Sequence, residues 1–307
     1  MYYFIVNIKS KTGKAGRIWR KVESELRKRG VEYRAYMTEY AGHASVLADR
    51  ICEENDGLKR IVVVGGDGTV NEVINGIADY NQVLLGYIPS GSSNDLAKGL
   101  GISADPLTAL RHILFAGSCR YIDNGQVDFF DDNPPRRFAV SSGVGFDASV
   151  CKEALHSGMK AVLNRAGLGK LTYAGIAVKQ ILSSSKLDLQ VTYNDCKRIR
   201  YRNAFFLAAM NQRYEGGGLP MAPGADPADG MLTVCVVHGL PKWKICILFP
   251  LIFFGKHILA EGVDTIHCTS VEVRSLKHTD VHTDGEVGIP RNHIRISLYP
   301  DKLRMML

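Results

Sequence analysis

The chain has 307 residues, of which 46% are hydrophobic and 22% are charged, a balance that excludes disordered and fibrous proteins and is typical of globular ones. Its formal net charge of +7 at pH 7 favours an anionic partner, such as a nucleotide, an anionic membrane or nucleic acid. The length is sufficient for two domains with substantial cores.

The seven cysteines are scattered and form no CxxC pair. An odd number at such spacings is typical of reduced thiols and argues against a disulfide framework or a zinc site. The apolar start at residues 2–6 is too short for a signal peptide and predicts the first strand instead. We therefore expect a cytoplasmic protein.

The first 117 residues predict alternating strands and helices. Strands are expected at 2–8, 31–38, 61–64 and 83–88, and helices around 18–26, at 42–54, at 70–78 and at 96–100. Such alternation indicates an α/β fold with a doubly wound parallel sheet. Ligands bind beyond the carboxyl ends of the strands in these sheets. The loops expected at that edge are 7–16, 38, 65–69 and 90–95.

The segment GGDGT at residues 65–69 directly follows the β-branched run 61–64. A continuous apolar run predicts a strand buried on both faces. Glycines let the backbone come close to a ligand, and the N-terminus of the next helix suits phosphate. Asp67 beside a phosphate indicates a divalent cation between them. The alternative is a tight βα connection without a ligand.

From about residue 120 the pattern changes to strands, many of them joined without helices. Strands are expected at 120–128, 137–141, 187–193, 199–210, 231–237, 270–274 and 293–298, and helices near 155–182 and at 243–260. This predicts a C-terminal β-sandwich domain. We place the first domain at 1–125 and the second at 126–298, and residues 299–307 are expected to return to the first.

Two stretches have two interpretations each. Residues 243–260 are apolar, too short to span a bilayer and interrupted by Pro250 and Gly255. The favoured interpretation is a helix packed on the second domain, and the alternative is a segment that touches a lipid interface. The basic residues of 152–186 form either a solvated helix face or a surface attracted to anionic headgroups. They are Lys152, Lys160, Arg165, Lys170, Lys179 and Lys186.

Three motifs resemble the diacylglycerol kinase catalytic family, which also covers bacterial lipid kinases and sphingosine and ceramide kinases. They are GGDGTVNEV at 65–73, PSGSSNDLA at 89–97 and DGE at 284–286. GGDGT alone is shared with NAD kinases, whereas the continuation Asn71-Glu72 favours the lipid kinases. The resemblance implies an NAD-kinase-like first domain and magnesium-dependent transfer of the γ-phosphate of ATP to the hydroxyl of diacylglycerol or a related lipid. It also implies peripheral association with an anionic membrane surface.

The resemblance further implies a set of ATP contacts. They are Asn7, Ser10, Thr12, Gly13, Thr38, Gly65, Gly66, Asp67, Gly68, Thr69, Asn71, Glu72, Ser92, Asn94 and Asp123. Asp67 is expected to hold magnesium with help from Asp123, for which a plain turn residue is an equal alternative. The first loop has Ile8 where the family commonly has proline. Which hydroxyl of this loop contacts ATP therefore stays open. Ser92 replaces the usual threonine and keeps the hydroxyl.

The attacking lipid hydroxyl needs a base that accepts its proton. Glu286 of the DGE segment is the candidate, because Gly285 allows a tight turn that can direct this carboxylate into the cleft between the domains. Asp284 is the rival base, although we expect it to orient the turn. A solvated hairpin glutamate is the alternative without catalysis.

The segment 226–231 is a candidate for a structural magnesium site. Asp226, Asp229 and the main chain of Met231 offer the oxygen ligands that hard cations prefer, and the segment resembles such a site in the bacterial members. The alternative is an Asp-Gly turn that leads into the next strand.

Two other functions remain open at the level of the sequence. One is a kinase of a soluble substrate such as NAD. The other is a non-catalytic nucleotide-binding regulator, against which the retention of Asp67 and Glu286 argues. We expect no nucleic-acid partner, and a homodimer is an open alternative to a monomer.

Overall fold

The computed structural model describes residues 1–10, 14–54, 57–156 and 181–307. Several predictions fall outside these ranges. They are the ATP contacts of Thr12 and Gly13, most of the helix near 155–182, and the basic residues Lys160, Arg165, Lys170 and Lys179.

The N-terminal part of the chain alternates strands and helices, as predicted. Its elements are β1 (Tyr2–Val6), α1 (Lys14–Lys28), β2 (Tyr33–Met37), α2 (His43–Glu53), β3 (Lys59–Gly65), α3 (Asp67–Gly76), β4 (Val83–Pro89), α4 (Asp95–Leu100), α5 (Pro106–Phe115) and β5 (Cys119–Ile122).

The C-terminal part is dominated by strands. Its elements are β6 (Gly125–Phe129), β7 (Arg136–Phe138), β8 (Ser141–Gly145), α6 (Phe146–His156), β9 (Leu187–Tyr193), β10 (Lys197–Met210), β11 (Leu232–His238), α7 (Lys242–Ile252), β12 (Val263–Cys268), β13 (Ser270–Thr279), β14 (Val281–Thr283), β15 (Glu286–Val287), β16 (Arg291–Leu298) and β17 (Leu303–Met306).

The first sheet has the strand order β2-β1-β3-β4-β17-β5. The pairings from β2 to β17 are parallel, and β17 pairs with β5 in the antiparallel sense. Ile61 and Val63 of β3 pack in one core, and Val62 and Val64 pack in the core on the other face. Burial on both faces explains the continuous β-branched run. The strand order reverses between β1 and β3, which is where sheets of this type bind ligands.

The second sheet has the order β15-β14-β8-β10-β9-β13-β16-β6-β7, and β11 pairs with β10 and β12. Each of these pairings is antiparallel, and the fold is sandwich-like. The single strand predicted at 120–128 is wrong, because β5 and β6 belong to different sheets. Between them lie Asp123 and Asn124, both buried. Asn124 Nδ2 donates to the carbonyl of Asp301 (2.8 Å) and so ties this crossover to the segment before β17.

The apolar stretch 243–260 packs on the second domain along one side, as in its favoured interpretation, and leaves its other side exposed. α7 ends at Ile252, and a 3-10 turn at His257–Leu259 follows. Within α7, Ile245 is buried and Cys246, Leu248 and Phe249 pack against the core of the second domain, whereas Trp243 and Ile247 are exposed. None of the helices in the described ranges combines the length and apolarity needed to cross a bilayer.

A cluster of ionisable groups lies buried in the second domain. His282 of β14 is fully buried, and its Nε2 lies 2.8 Å from Asp147 Oδ2 and 3.4 Å from Glu215 Oε1. Burial, together with the charge of Asp147, raises the pKa of Glu215 to about 8. Burial alone would lower the pKa of His282, but Asp147 and Glu215 raise it to about 9. The hydroxyl of Ser141 donates to Glu215.

These shifts predict how stability depends on pH. The folded chain keeps a proton on Glu215 above its ordinary pKa of 4.5 and on His282 above its ordinary pKa of 6.5. The unfolded chain releases each proton at the lower, ordinary pKa, so the free energy of unfolding should fall as the pH rises from about 4.5 to 8 because of Glu215 and from about 6.5 to 9 because of His282. Denaturant titrations across this range measure the slope. Glu215→Gln should make the slope shallower, and Glu261→Gln at an exposed position should not; equal slopes in all three proteins would contradict this account.

Candidate active site

The glycine-rich turn lies at the carboxyl end of β3, beside the point where the strand order reverses. α3 begins at Asp67, with Gly66 in an extended conformation before it. The sequence analysis started this helix three residues too late, at residue 70, so Asp67 and Gly68 belong to its first turn. The first N–H groups of a helix have no partner within the helix and carry partial positive charge. The turn is therefore suited to an anionic group.

Asp67 has a contact that the sequence did not indicate. Its carboxylate accepts the backbone N–H groups of Asp95 (2.9 Å) and Leu96 (3.2 Å), and the Tyr87 hydroxyl lies 3.5 Å away. Asp67 therefore caps α4 and ties the two βα loops together. Burial raises the pKa of Asp67 to about 6, although the hydrogen bonds from α4 oppose the rise.

The second loop, residues 90–94, lies directly against the glycine-rich turn. Asn94 adopts a left-handed conformation (φ 52°) and exchanges hydrogen bonds of 2.9 Å with the backbone of Gly91. A Cβ on Gly91 would lie 2.4 Å from Gly66 Cα, so only glycine permits this approach of the two backbones. Ser92 is exposed in the same loop.

The first loop joins the same edge. Asn7 Nδ2 donates to Thr69 Oγ1 (3.1 Å), and the Ser10 hydroxyl donates to the carbonyl of Ser90 (3.2 Å). The N–H of Thr38, at the end of β2, donates to the carbonyl of Val6 (2.9 Å). The structure thus brings these predicted contacts from three loops to one edge of the sheet.

The DGE turn of the second domain reaches this edge. Asp284 has φ 49° and a buried carboxylate that accepts the successive N–H groups of residues 139, 140 and 141 at 2.8, 2.8 and 3.0 Å. Burial raises the pKa of Asp284, and its hydrogen bonds oppose the rise. Two residues later, Glu286 Oε1 lies 3.4 Å from where a Cβ on Gly68 would be. Asp284 therefore holds the turn, and Glu286 lies against the first turn of α3.

Asn71 joins the two domains. Its side chain is completely buried, and its Nδ2 donates to Asp284 Oδ2 (2.9 Å) and to the carbonyl of Arg137 (3.0 Å). Its Oδ1 accepts a hydrogen bond from the Arg136 guanidinium (3.0 Å). The ATP contact expected for Asn71 stays a prediction beside these interdomain contacts.

Glu72 and Asp123 also have protein partners. Glu72 Oε2 accepts the N–H of Ala44 (3.0 Å), at the N-terminus of α2. Asp123 pairs with Lys302 (2.7 Å) and accepts the N–H of Gly230 (2.7 Å). Both carboxylates thus tie separate parts of the chain together, and their expected contacts with nucleotide and magnesium stay predictions.

The loop 226–231 forms turns that its own aspartates stabilise, as expected for the Asp-Gly turn that is the alternative to a magnesium site. Asp226 Oδ1 accepts the N–H of Ala228 (3.0 Å), and Asp229 Oδ1 accepts the N–H of Met231 (2.9 Å). Both aspartates are exposed, so their other carboxylate oxygens can still reach a cation. Asp123 binds the backbone of the same loop and thus fixes it to the crossover between the sheets.

Two residues of this region were not predicted from the sequence. Tyr87 contacts both Asp67 and Asn94 (3.2 Å), but one tyrosine in an apolar strand gives no signal. Asp95 Oδ2 accepts the N–H of Gly217 (2.9 Å). Asp95 lies inside the PSGSSNDLA motif, so the motif itself could have indicated it.

The residues present fit a nucleotide with magnesium. The close approach of Gly66 to Gly91 leaves backbone, not side chains, beside the N-terminus of α3, which suits the phosphates. Magnesium in such sites is bound by one or two carboxylates, with phosphates and waters completing its shell. Each oxygen of Asp67 has lone pairs beyond those that α4 uses, so Asp67 can serve as such a ligand. Asp123 is already paired with Lys302.

Comparison with known families gives two adjoining matches. Residues 1–127 match the diacylglycerol kinase catalytic domain, and residues 139–307 match the YegS C-terminal NAD kinase beta sandwich-like domain. Among curated proteins, a provisionally named lipid kinase of Bacillus subtilis (strain 168), YtlR, is 30% identical over 99% of this chain and 98% of its own length. A diacylglycerol kinase of Staphylococcus aureus (strain bovine RF122 / ET3-1) is 27% identical over 90% of this chain and 84% of its own.

Solved structures show the same fold. A provisionally named diacylglycerol kinase of Bacillus anthracis str. Sterne superposes with a TM-score of 0.77 at 21% identity, over 99% of this chain and 94% of that one. An NAD kinase of Archaeoglobus fulgidus in complex with ATP superposes with a TM-score of 0.54 at 12% identity, over 100% and 94%. The family matches and the relative of 30% identity together show that the chain belongs to the diacylglycerol kinase catalytic domain family.

Proposed function

We propose that this protein is an ATP- and magnesium-dependent lipid kinase that phosphorylates the hydroxyl of diacylglycerol or a closely related lipid. The observation that carries the proposal is the position of Glu286, whose carboxylate lies against Gly68 in the first turn of α3. A carboxylate from one domain and a phosphate-binding turn from the other thus meet in the cleft. This is the pairing that phosphoryl transfer to an alcohol requires.

The reaction follows from these positions. The N-terminus of α3 binds the phosphates of ATP, and Glu286 accepts the proton of the lipid hydroxyl as its oxygen attacks the γ-phosphorus. A bond forms between the lipid oxygen and the γ-phosphorus, the bond to the β-phosphate oxygen breaks, and ADP leaves with that electron pair. Magnesium, when bound, neutralises charge between the β- and γ-phosphates. Asp284 takes no proton in this scheme, because its oxygens already accept four hydrogen bonds.

The direct test is a screen of ATP turnover in the presence of magnesium. The acceptors are diacylglycerol, monoacylglycerol, phosphatidylglycerol, ceramide, sphingosine and NAD, each incubated with labelled ATP. We expect label in phosphatidic acid, the product from diacylglycerol, and no transfer in a chelator. Transfer to NAD without transfer to any lipid would overturn the proposal in favour of a soluble substrate, and ATP binding without any transfer would favour a regulator.

Glu286→Gln tests the assignment of the base. The substitution keeps the shape and removes the basicity, so kcat should fall by about 10²- to 10⁴-fold, while the affinity for ATP and the melting temperature stay close to the wild-type values. Steady-state kinetics, nucleotide titration and thermal unfolding measure the three quantities.

Asp284→Asn is the matched comparison, because it makes the same chemical change two residues away. The amide would place a donor against backbone N–H groups, so we expect a loss of stability of about 1–3 kcal/mol. Full kcat in Glu286→Gln together with lost kcat in a stable Asp284→Asn protein would make Asp284 the base.

The magnesium site proposed at 226–231 has a thermodynamic test. A cation that binds only the folded state raises the melting temperature, so wild type should melt higher in magnesium than in chelator. Asp229→Ala should lose part of that difference. Asp79→Ala is the control. Asp79 lies in another part of the chain and likewise accepts the backbone N–H of the residue two positions later, Asn81 (2.8 Å). An unchanged magnesium effect in Asp229→Ala would place the stabilising ion elsewhere.

A further inference from the structure

We propose that α7 and the turn after it form a docking surface for an anionic lipid bilayer. The surface consists of five large apolar side chains, named here the apolar patch, and three neighbouring lysines. The inference rests on the proposed function in one respect only: a kinase of membrane lipids has to reach its substrate at a bilayer. Its physical basis is independent of that function.

The apolar patch is unusually exposed for side chains of this size. The exposed fractions are 60% for Trp243, 63% for Ile247, 56% for Phe253, 74% for Phe254 and 82% for Leu259. Single exposed apolar residues are common on protein surfaces, but a group within one short segment marks an interaction site. The free energy of such a surface falls when another apolar phase covers it.

The patch is held in place by the second domain. Ile245 and Phe249 of α7 pack with the core of that domain. In the turn, buried His257 donates from Nε2 to the carbonyl of Met221 (3.0 Å). Gly255, with φ 65°, packs so closely on Pro223 that a Cβ would lie 2.6 Å from its ring. The exposed residues are thus presented by an anchored segment.

The charge around the patch identifies the kind of partner. Residues 239–260 contain three lysines and no aspartate or glutamate. Lys244 and Lys256 are exposed, and Lys244 Nζ lies 5.8 Å from the ring centroid of Trp243. Tryptophan and lysine beside aliphatic and aromatic side chains are typical of segments that lie in a membrane interface, where anionic headgroups attract the lysines.

A second copy of this chain fits the patch less well. A twofold interface brings the same surface of two subunits together, so the lysines of one copy would meet those of the other without acidic partners from this segment. A bilayer containing anionic lipid supplies the missing negative charge. The net charge of +7 favours the same partner.

The position of the patch connects it to the active site. The segment that carries the patch, residues 243–259, contacts the loop between β10 and β11, because His257 of the segment bonds to the carbonyl of Met221 in the loop. Earlier in the same loop, the N–H of Gly217 donates to Asp95 Oδ2, and its carbonyl accepts from Lys98 Nζ (3.2 Å), both in α4. One loop therefore spans from the docking surface to the helix that Asp67 caps.

Vesicle sedimentation tests the proposal with the full-length protein. Wild type should bind vesicles of phosphatidylcholine with phosphatidylglycerol more tightly than vesicles of phosphatidylcholine alone, and high salt should weaken the binding. The double variant Phe254→Ser/Leu259→Ser should bind at least about tenfold more weakly, since it removes two side chains that would leave water. Leu276→Ser is the matched control, because Leu276 is also 82% exposed but lies on β13. Its binding should equal that of wild type.

Intrinsic fluorescence gives a second readout on the unmodified protein. The chain has two tryptophans: Trp243 in the patch and Trp19, which is 5% exposed. Brominated phosphatidylglycerol in the vesicles should quench Trp243, and Trp243→Phe should abolish the quenching. Unquenched emission from vesicle-bound wild type would overturn the proposal, as would equal vesicle binding by wild type and the double variant. A dimer that the double variant dissociates, with no vesicle binding by wild type, would assign the patch to a second copy.

A water-soluble short-chain diacylglycerol separates this inference from the proposed function. If the double variant phosphorylates it at the wild-type rate but binds vesicles weakly, the patch acts in docking and the kinase assignment holds. If wild type binds vesicles through the patch but phosphorylates neither this nor any other lipid, the docking surface stands and the proposed function fails.

Discussion

The carboxylate of Asp284 is the contact on which the arrangement of the site depends. A buried carboxylate is costly unless its oxygens are fully hydrogen-bonded, and this one accepts three successive backbone N–H groups and the amide of Asn71. Hydrogen bonds to a charged acceptor are stronger than neutral ones. They therefore fix the DGE turn to the start of β8 and to α3 at once. Because Glu286 is only two residues further along, its position against Gly68 follows from the same contact.

The parts of the fold that could be predicted are those encoded locally. The β-branched run of β3 is buried on both faces, and this pattern predicted a parallel sheet. The contacts that could not be predicted join residues far apart in sequence, such as Asp67 with α4, Asn71 with Asp284, and Asp123 with Lys302. A carboxylate beside a glycine turn looks the same in sequence whether it binds a cation or caps a helix. The motifs therefore located the site, but the partners of its side chains required the structure.

For the same reason, the sequence left two interpretations of residues 243–260 open. An apolar run is equally compatible with a core helix and with a helix at an interface, because periodicity does not reveal what covers each face. Ile245 meets the core, whereas Trp243 and Ile247 on the same helix are exposed. The exposed fraction of each side chain, which only the structure gives, is what supports the interface proposal.

The loop between β10 and β11 contacts both the patch segment and the region of the candidate active site. Through Glu215 it contacts the buried His282, two residues before Asp284, and through Gly217 it contacts α4. Through Met221 it supports the patch segment. The patch segment, the strand that leads into the DGE turn and the helix that Asp67 caps therefore all contact the same loop.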